Sequence, residues 1–334
     1  MAASSRDEVR EYEPSAIDQL YDTDFVNGRI FPSFERSYDI NHPNIECFRS
    51  HDLNRCFSIY SNGIIDGSKL VIIYFHGNGS DLGDCHDLLV NFSNWFQTTI
   101  IGIEYAGYGM CEGERNPKSI IDACSDTIVY ISKKLNIMLS RMVLYGHSIG
   151  GAIALQVNKV FQNLFCGIIL HNTFTTIKRI VSNHSFLTSL FISDSFLSNI
   201  ETIKTIGRWQ LLCIIHGEKD ELIPSECSKE LYNECSSGAD KKTLHLCPNS
   251  SHNAFVAQKL RYVYILPFLR KLESLFFDGK ALKKYNVKVD HYRDYSKKNL
   301  LKLEDTFSDI IRPKKKQVWV ESDGKCKVNM NIYG

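Results

Sequence analysis

The chain is poorest in the features that would commit it to a membrane, an export route or a metal. No stretch of its 334 residues approaches the ~18 uncharged apolar residues that a spanning helix needs, so no membrane span is expected. The start, Met1-Ala2-Ala3-Ser4-Ser5-Arg6-Asp7-Glu8, carries no apolar core and does not read as a secretory leader. Ala2 stands where myristoylation requires glycine, and the last residues are not a prenylation box. The 11 cysteines are odd in number and scattered, with no CxxC pair. Reduced thiols and a cytoplasmic setting are therefore expected rather than a disulfide framework. His171 and His184 have no carboxylate or cysteine partners at ligand spacing, and His86 reads as a helix residue beside Cys85, so neither metal nor cofactor is expected. A net charge of +1 offers no general attraction for nucleic acid.

That charge is uneven. Residues 279–334 hold 14 Lys and Arg against 7 Asp and Glu, a surplus of +7, and the rest of the chain is −6. Lys314-Lys315-Lys316 marks this basic extension, for which peripheral contact with an anionic membrane surface is the sharper expectation beside a merely solvated tail. Residues 1–30 are polar and acidic and read as a disordered arm. Between the two lies a segment, 31–278, whose 43% hydrophobic share for the whole chain is enough for one large core.

Within it, strands and helices alternate. Ile45–Arg49 and Arg55–Tyr60 alternate apolar and polar residues around a turn, an antiparallel hairpin. Leu70–Phe75 is an unbroken apolar run, the mark of a strand buried on both faces of a parallel sheet. A helix is expected after it, capped by Asp81, and further strands at 98–105, 141–145, 166–170, 209–215 and 242–247. The rhythm gives an α/β class: a doubly wound, mostly parallel sheet opened by an antiparallel hairpin. Residues 173–206 are too long for a simple crossover and read as a small cap.

The chemistry centres on Gly146-His147-Ser148-Ile149-Gly150. An apolar strand enters this Gly-x-Ser-x-Gly turn and a helical pattern, Ala152-Ile153-Ala154-Leu155, leaves it, the sequence form of a nucleophile elbow. Chance alone supplies about 0.1 such five-residue matches in a chain of this composition, so the flanking elements carry the weight. A serine hydroxyl needs a base, and the base an orienting acid. Asp220 follows a late strand and His252 follows the last one, so both loops emerge at the carboxyl edge of the sheet with Ser148. Glu218 and Glu221 are rivals for the acid, and His245 for the base, although His245 lies inside a strand. Ser148 as an ordinary turn serine is the bland alternative.

Two backbone N–H groups are needed to receive an oxyanion. Ile149 supplies one; the other falls in the turn His76-Gly77-Asn78, at Asn78. The rival reading of Gly77-Asn78-Gly79-Ser80 is a phosphate loop, which lacks the lysine and spacing of a Walker motif. In the cap, Phe186, Leu190, Phe191 and Phe196 are candidates to line an acyl-chain groove, against the simpler reading that they are core.

Five blocks together, 74–83, 104–113, 145–150, 216–224 and 251–253, resemble the serine hydrolases of the α/β-hydrolase superfamily. They are most similar to the alpha/beta hydrolase domain-containing protein 17 group, over roughly residues 40–275. The resemblance implies an α/β-hydrolase fold with a small cap, with Ser148, Asp220 and His252 as triad and Asn78 and Ile149 as oxyanion donors. It implies cleavage of S-palmitoyl thioesters of proteins at cytosolic membrane faces, through an acyl-enzyme. That group carries a cysteine-rich N-terminus, whereas here no cysteine precedes Cys47. The expected substrate is an acylated protein or a lipid or other ester. A lysophospholipase or small-ester carboxylesterase is the rival enzyme, and a non-catalytic binding protein on the same fold is the rival of another class.

Overall fold

A computed structural model describes residues 24–61, 69–184, 192–276, 319–322 and 325–328. The apolar runs read from the sequence become an eight-stranded sheet: β1 (Ile45–Ser50), β2 (Leu53–Tyr60), β3 (Val71–Phe75), β4 (Thr99–Ile103), β5 (Met142–His147), β6 (Gly167–His171), β7 (Leu211–Gly217) and β8 (Lys242–Cys247). Their spatial order is β1-β2-β4-β3-β5-β6-β7-β8. β1 pairs antiparallel with β2 and β2 with β4; every later pair is parallel. The five residues of β3, β4 and β6 are all buried, because helices cover both faces of a parallel sheet.

The helices follow in chain order. α1 is Asp24–Ile30, α2 His86–Phe96, α3 Pro117–Lys134, α4 Ile149–Val160, α5 Ile177–His184, α6 Asn199–Ile203 and α7 Glu226–Glu234. The last helix runs as Ala257–Lys259 (α8), a π-turn at Leu260–Ile265 and Leu266–Phe276 (α9). Alternate strand residues point to opposite faces. Val71, Ile73, Phe75, Met142 and Leu144 pack with Ile120, Ile128, Ala152 and Ile153 on the face of α3 and α4. Ile72, Tyr74, Val143 and Tyr145 pack with Leu89, Phe92, Leu260 and Phe268 on the face of α2 and the last helix. Fully burying one such side chain stabilises by roughly 1.5–3 kcal/mol, so the two layers hold the sheet edge that bears the site.

Two expectations change. The arm read as disordered through residue 30 is helical from Asp24, because Val26, Ile30 and Phe31 are buried in the core. Asp81 does not cap α2, which begins five residues beyond it, at His86; instead Asp81 accepts from the N–H groups of Ser37, Gly83 and Asp84 and closes a turn of its own. The cap region contains α5 and α6, and residues 185–191 within it lie outside the described residues. In the basic extension, Trp319–Ser322 (β9) and Lys325–Val328 (β10) form a separate antiparallel pair, and Lys314–Lys316 lie outside the described residues. Among the described residues, no helix is long and apolar enough to cross a membrane, and ten cysteines are free thiols.

Candidate active site

Ser148 sits between β5 and α4 with φ 55° and ψ −121°. Positive φ is costly for a residue with a Cβ and persists only where the surroundings enforce it. Here the enforcement is steric. A Cβ at Gly150 would collide with the Phe75 and His76 carbonyls, and one at Gly146 with the backbone of Gly150 and Gly151. Strand and helix therefore approach each other closely, and the sharp turn lifts the serine above the sheet edge. Thr173 Oγ1 donates to the Ser148 carbonyl at 2.7 Å, and the Ser148 N–H donates to the His171 carbonyl at 2.9 Å, fixing both sides of the turn.

The loops after β7 and β8 bring Asp220 and His252 to it. His252 Nε2 is 3.0 Å from Ser148 Oγ, and His252 Nδ1 is 2.8 Å from Asp220 Oδ2. With Nδ1–H donating to the carboxylate, Nε2 is left to accept the serine proton. Asp220 has a fully buried side chain. Burial alone would raise its pKa, but hydrogen bonds from His216, His252 and the Ile223 N–H outweigh this and hold it well below the usual carboxylate range. Its Oδ1 accepts from the N–H groups of Leu222 and Ile223 at 2.9 and 2.8 Å.

The rivals are placed elsewhere. Glu221 Oε2 accepts from the His252 N–H at 3.3 Å, a contact with the backbone and not the ring. Glu218 is exposed. His245, inside β8, packs on Tyr264 with ring centroids 4.6 Å apart.

On the other side of the serine stands the turn after β3. Among the described residues, no hydrogen-bond acceptor engages the backbone N–H of Asn78 or of Ile149, the two expected oxyanion donors. The Asn78 side chain faces away: its Nδ2 donates to the Ile30 carbonyl at 2.8 Å, and the Tyr108 hydroxyl donates to its Oδ1 at 3.2 Å. A Cβ on Gly77 would stand 3.0 Å from His147 Nδ1 and 3.7 Å from Ser148 Cβ, so the turn lies close against the serine, and a larger residue would push on the His147 ring. Of the expected groove residues, Phe186, Leu190 and Phe191 lie outside the described residues, and Phe196 is half-buried, packed against the core on the α3 and α4 face.

Three residues missed in the sequence complete the site. Asn172, the residue after β6, is buried with φ 49°. Its Nδ2 donates to the Ser251 and His252 carbonyls at 3.0 and 2.7 Å, and its Oδ1 accepts from the Gly217 N–H at 2.8 Å. One side chain thereby ties the acid loop to the base loop. An asparagine directly after a buried strand, at the sheet edge that carries Ser148, was the available signal. His147 Nε2 also donates to the His252 carbonyl at 3.1 Å; burial and the neighbouring His252 lower its pKa to about 4, so it is neutral at pH 7. Glu104, wholly buried after β4, contacts His76 Nε2 at 3.1 Å and accepts from the Tyr38 hydroxyl at 2.9 Å. Its signal was a lone carboxylate closing an apolar strand.

A parallel sheet of this order, with a strained serine at the turn after β5 and a histidine and aspartate delivered by the last two strands, has the α/β-hydrolase fold. Solved structures of that fold superpose on it. Est1E from Butyrivibrio proteoclasticus gives a TM-score of 0.56 at 12% identity, over 69% of this chain and 99% of that one. A soluble variant of monoglyceride lipase from Saccharomyces cerevisiae gives 0.52 at 13% identity, over 73% and 97%. Acetyl xylan esterase 1 from Thermoanaerobacterium sp. JW/SL YS485 gives 0.52 at 14% identity, over 78% and 94%. In sequence, the chain is 28% identical over 190 residues to protein bem46 of Schizosaccharomyces pombe, covering 56% of this chain and 62% of that protein. It is 26% identical over 206 residues to the uncharacterized membrane protein YNL320W of Saccharomyces cerevisiae, covering 61% and 72%. The chain spans less than two thirds of bem46, at 62%, and of the uncharacterized protein YfhR of Escherichia coli, at 66%. No family model matches.

Proposed function

We propose that this protein is a serine hydrolase of acyl esters and thioesters. The observation that carries the reading is the continuous contact from Ser148 Oγ through the His252 ring to Asp220, at 3.0 and 2.8 Å. His252 Nε2 takes the hydroxyl proton as Ser148 Oγ attacks the acyl carbon. The charge gathering on the acyl oxygen is received by the N–H groups of Asn78 and Ile149. Asp220, held ionised, stabilises the doubly protonated ring, which then returns the proton to the leaving alcohol or thiol. Water, deprotonated by the same ring, attacks the acyl-enzyme and releases the acid.

The names of the superposed esterases and lipase support ester hydrolysis in general. The motif resemblance supports the finer reading, hydrolysis of a palmitoyl thioester on a protein cysteine, at the cytosolic face of a membrane. A fluorophosphonate probe should label the wild-type protein at Ser148 and leave Ser148→Ala unlabelled. Folded wild-type protein that takes no label would overturn the hydrolase reading. Among substrates, faster turnover of a palmitoyl-cysteine peptide than of a lysophospholipid or a short-chain ester would support the thioesterase reading, and the reverse order would replace it.

A further inference from the structure

Beside the serine, on the sheet face covered by α2, lies a cavity of about 150 Å³. Its floor is aromatic and polar: Tyr74, Tyr145 and His171 rise from β3, β5 and β6. Leu88 and Phe92 of α2 and Phe255 form apolar walls, and Gly77, His147 and Asn253 form the side toward the site. Each of these last three adjoins a group of the proposed machinery in sequence: Asn78, Ser148 and His252. The nearness is spatial as well, since a Cβ on Gly77 would stand 3.7 Å from Ser148 Cβ.

The lining selects a kind of occupant. The lining holds no lysine or arginine, its one carboxyl side chain is Asp84 at the exposed rim, and burial keeps both His147 and His171 uncharged. An anion therefore finds no counter-charge. The Tyr145 hydroxyl is already spent on His171 Nδ1, at 2.8 Å. The Tyr74 hydroxyl, on a residue only 2% exposed, makes no hydrogen bond with another described residue, and its oxygen is not sealed from solvent. A ligand oxygen placed there can take the hydrogen bond that this hydroxyl otherwise makes only with water. As to size, a space of about 150 Å³ is that of a benzene ring.

We propose that this cavity is a substrate subsite for a neutral, single-ring aromatic group bearing one polar substituent, presented as part of an ester to Ser148. The ring lies against Phe92, Phe255 and Leu88, and its substituent bonds to the Tyr74 hydroxyl. A long acyl chain exceeds this space and is held elsewhere. The proposal rests on the hydrolase reading for its catalytic consequence, but not for binding.

The test uses Leu88→Trp, which fills the space from the α2 wall without touching the proposed machinery, and Tyr74→Phe, which removes only the hydroxyl. Phenol binding is measured by calorimetry on the Ser148→Ala protein, where no turnover intervenes. Binding should be lost with Leu88→Trp added and weaken about fivefold with Tyr74→Phe added. In the enzyme with Ser148 intact, Leu88→Trp should lower kcat/KM at least tenfold, through KM, for phenyl acetate if the ring is on the alcohol side or for methyl benzoate if it is on the acyl side. Ethyl acetate hydrolysis and fluorophosphonate labelling should stay unchanged. Absence of phenol binding, or binding indifferent to both variants, overturns the subsite even if esters are cleaved. Phenol binding sensitive to both variants, in a protein that cleaves no ester, keeps the subsite and overturns the hydrolase reading. Should Leu88→Trp fail to fold by thermal melting, Tyr74→Phe decides alone.

Discussion

The two sides of Ser148 are held by different parts of the molecule. The acid and base loops are fastened from within the sheet: Asn172, one residue beyond β6, bonds Gly217, Ser251 and His252 together, and His216 in β7 backs Asp220 at 3.3 Å. The oxyanion turn is fastened largely from outside it. Ile30 receives the Asn78 side chain, Tyr38 bonds Glu104 behind His76, and Ser37 bonds Asp81 just past the turn. These three lie in the segment before β1, which contributes no strand to the sheet. The proposed proton transfer needs fixed geometry between two loops, and the sheet supplies it. The oxyanion turn depends instead on an N-terminal segment whose docking rests on a few buried side chains, Val26, Ile30, Phe31 and Tyr38. A substitution at the first anchor should therefore act on chemistry with full force, and one at the second by a smaller factor.

Asn172→Asp tests the first anchor most sharply. The replacement has nearly the same shape and keeps an acceptor for the Gly217 N–H, but it sets an oxygen against the Ser251 and His252 carbonyls where an N–H₂ group stood. The base loop must shift, and a displacement of about 1 Å from productive geometry costs on the order of 100-fold in rate. Steady-state kinetics on a short ester should show that loss in kcat, with the protein still folded. A loss of less than tenfold would mean that His147, through its own bond to the His252 carbonyl, holds the loop unaided.

Tyr38→Phe tests the second anchor. The hydroxyl donates to Glu104 and accepts from the Met110 N–H at 3.0 Å, so its removal leaves a backbone donor unpaired. The melting temperature should fall by an amount corresponding to about 1–3 kcal/mol. The turnover number should fall by roughly tenfold, less than one oxyanion donor is worth, because the turn is loosened and not removed. A loss equal to that of Asn172→Asp would erase the distinction between the two sides.

The same distinction separates what was legible in the sequence from what was not. Ser148, Asp220 and His252 could be found because each follows a strand, and a parallel sheet delivers all such loops to one edge. Asp220 was preferred in the sequence to Glu218 and Glu221, and the structure gives the reason, since one backbone turn decides which carboxylate reaches the ring. Asn172 was readable in principle, being also a post-strand residue, but an asparagine carries no chemistry that marks it. Tyr38 was not readable, because its partner Glu104 is 66 residues away and nothing local records the contact. For the same reason the arm through residue 30 was expected to be disordered: polar residues around Val26, Ile30 and Phe31 masked the three side chains that dock it.

The smallest effect concerns pH. Because the pKa of Asp220 is depressed in the folded protein by His216, His252 and the Ile223 N–H against the opposing effect of burial, its ionised form stabilises the fold wherever the unfolded chain would also be ionised, above about pH 3.9. As pH falls through that value, the unfolded state takes up a proton that the folded state still refuses, and the contribution is progressively lost. Asp220→Asn keeps the side-chain volume and removes the titration. The wild-type protein should therefore be the more stable at pH 7, with the gap in melting temperature narrowing below pH 4. A gap that stays constant from pH 7 to pH 3 would show that the hydrogen bonds of Asp220 stabilise by geometry alone. The tight hold on the acid would then belong to loop packing and not to its charge.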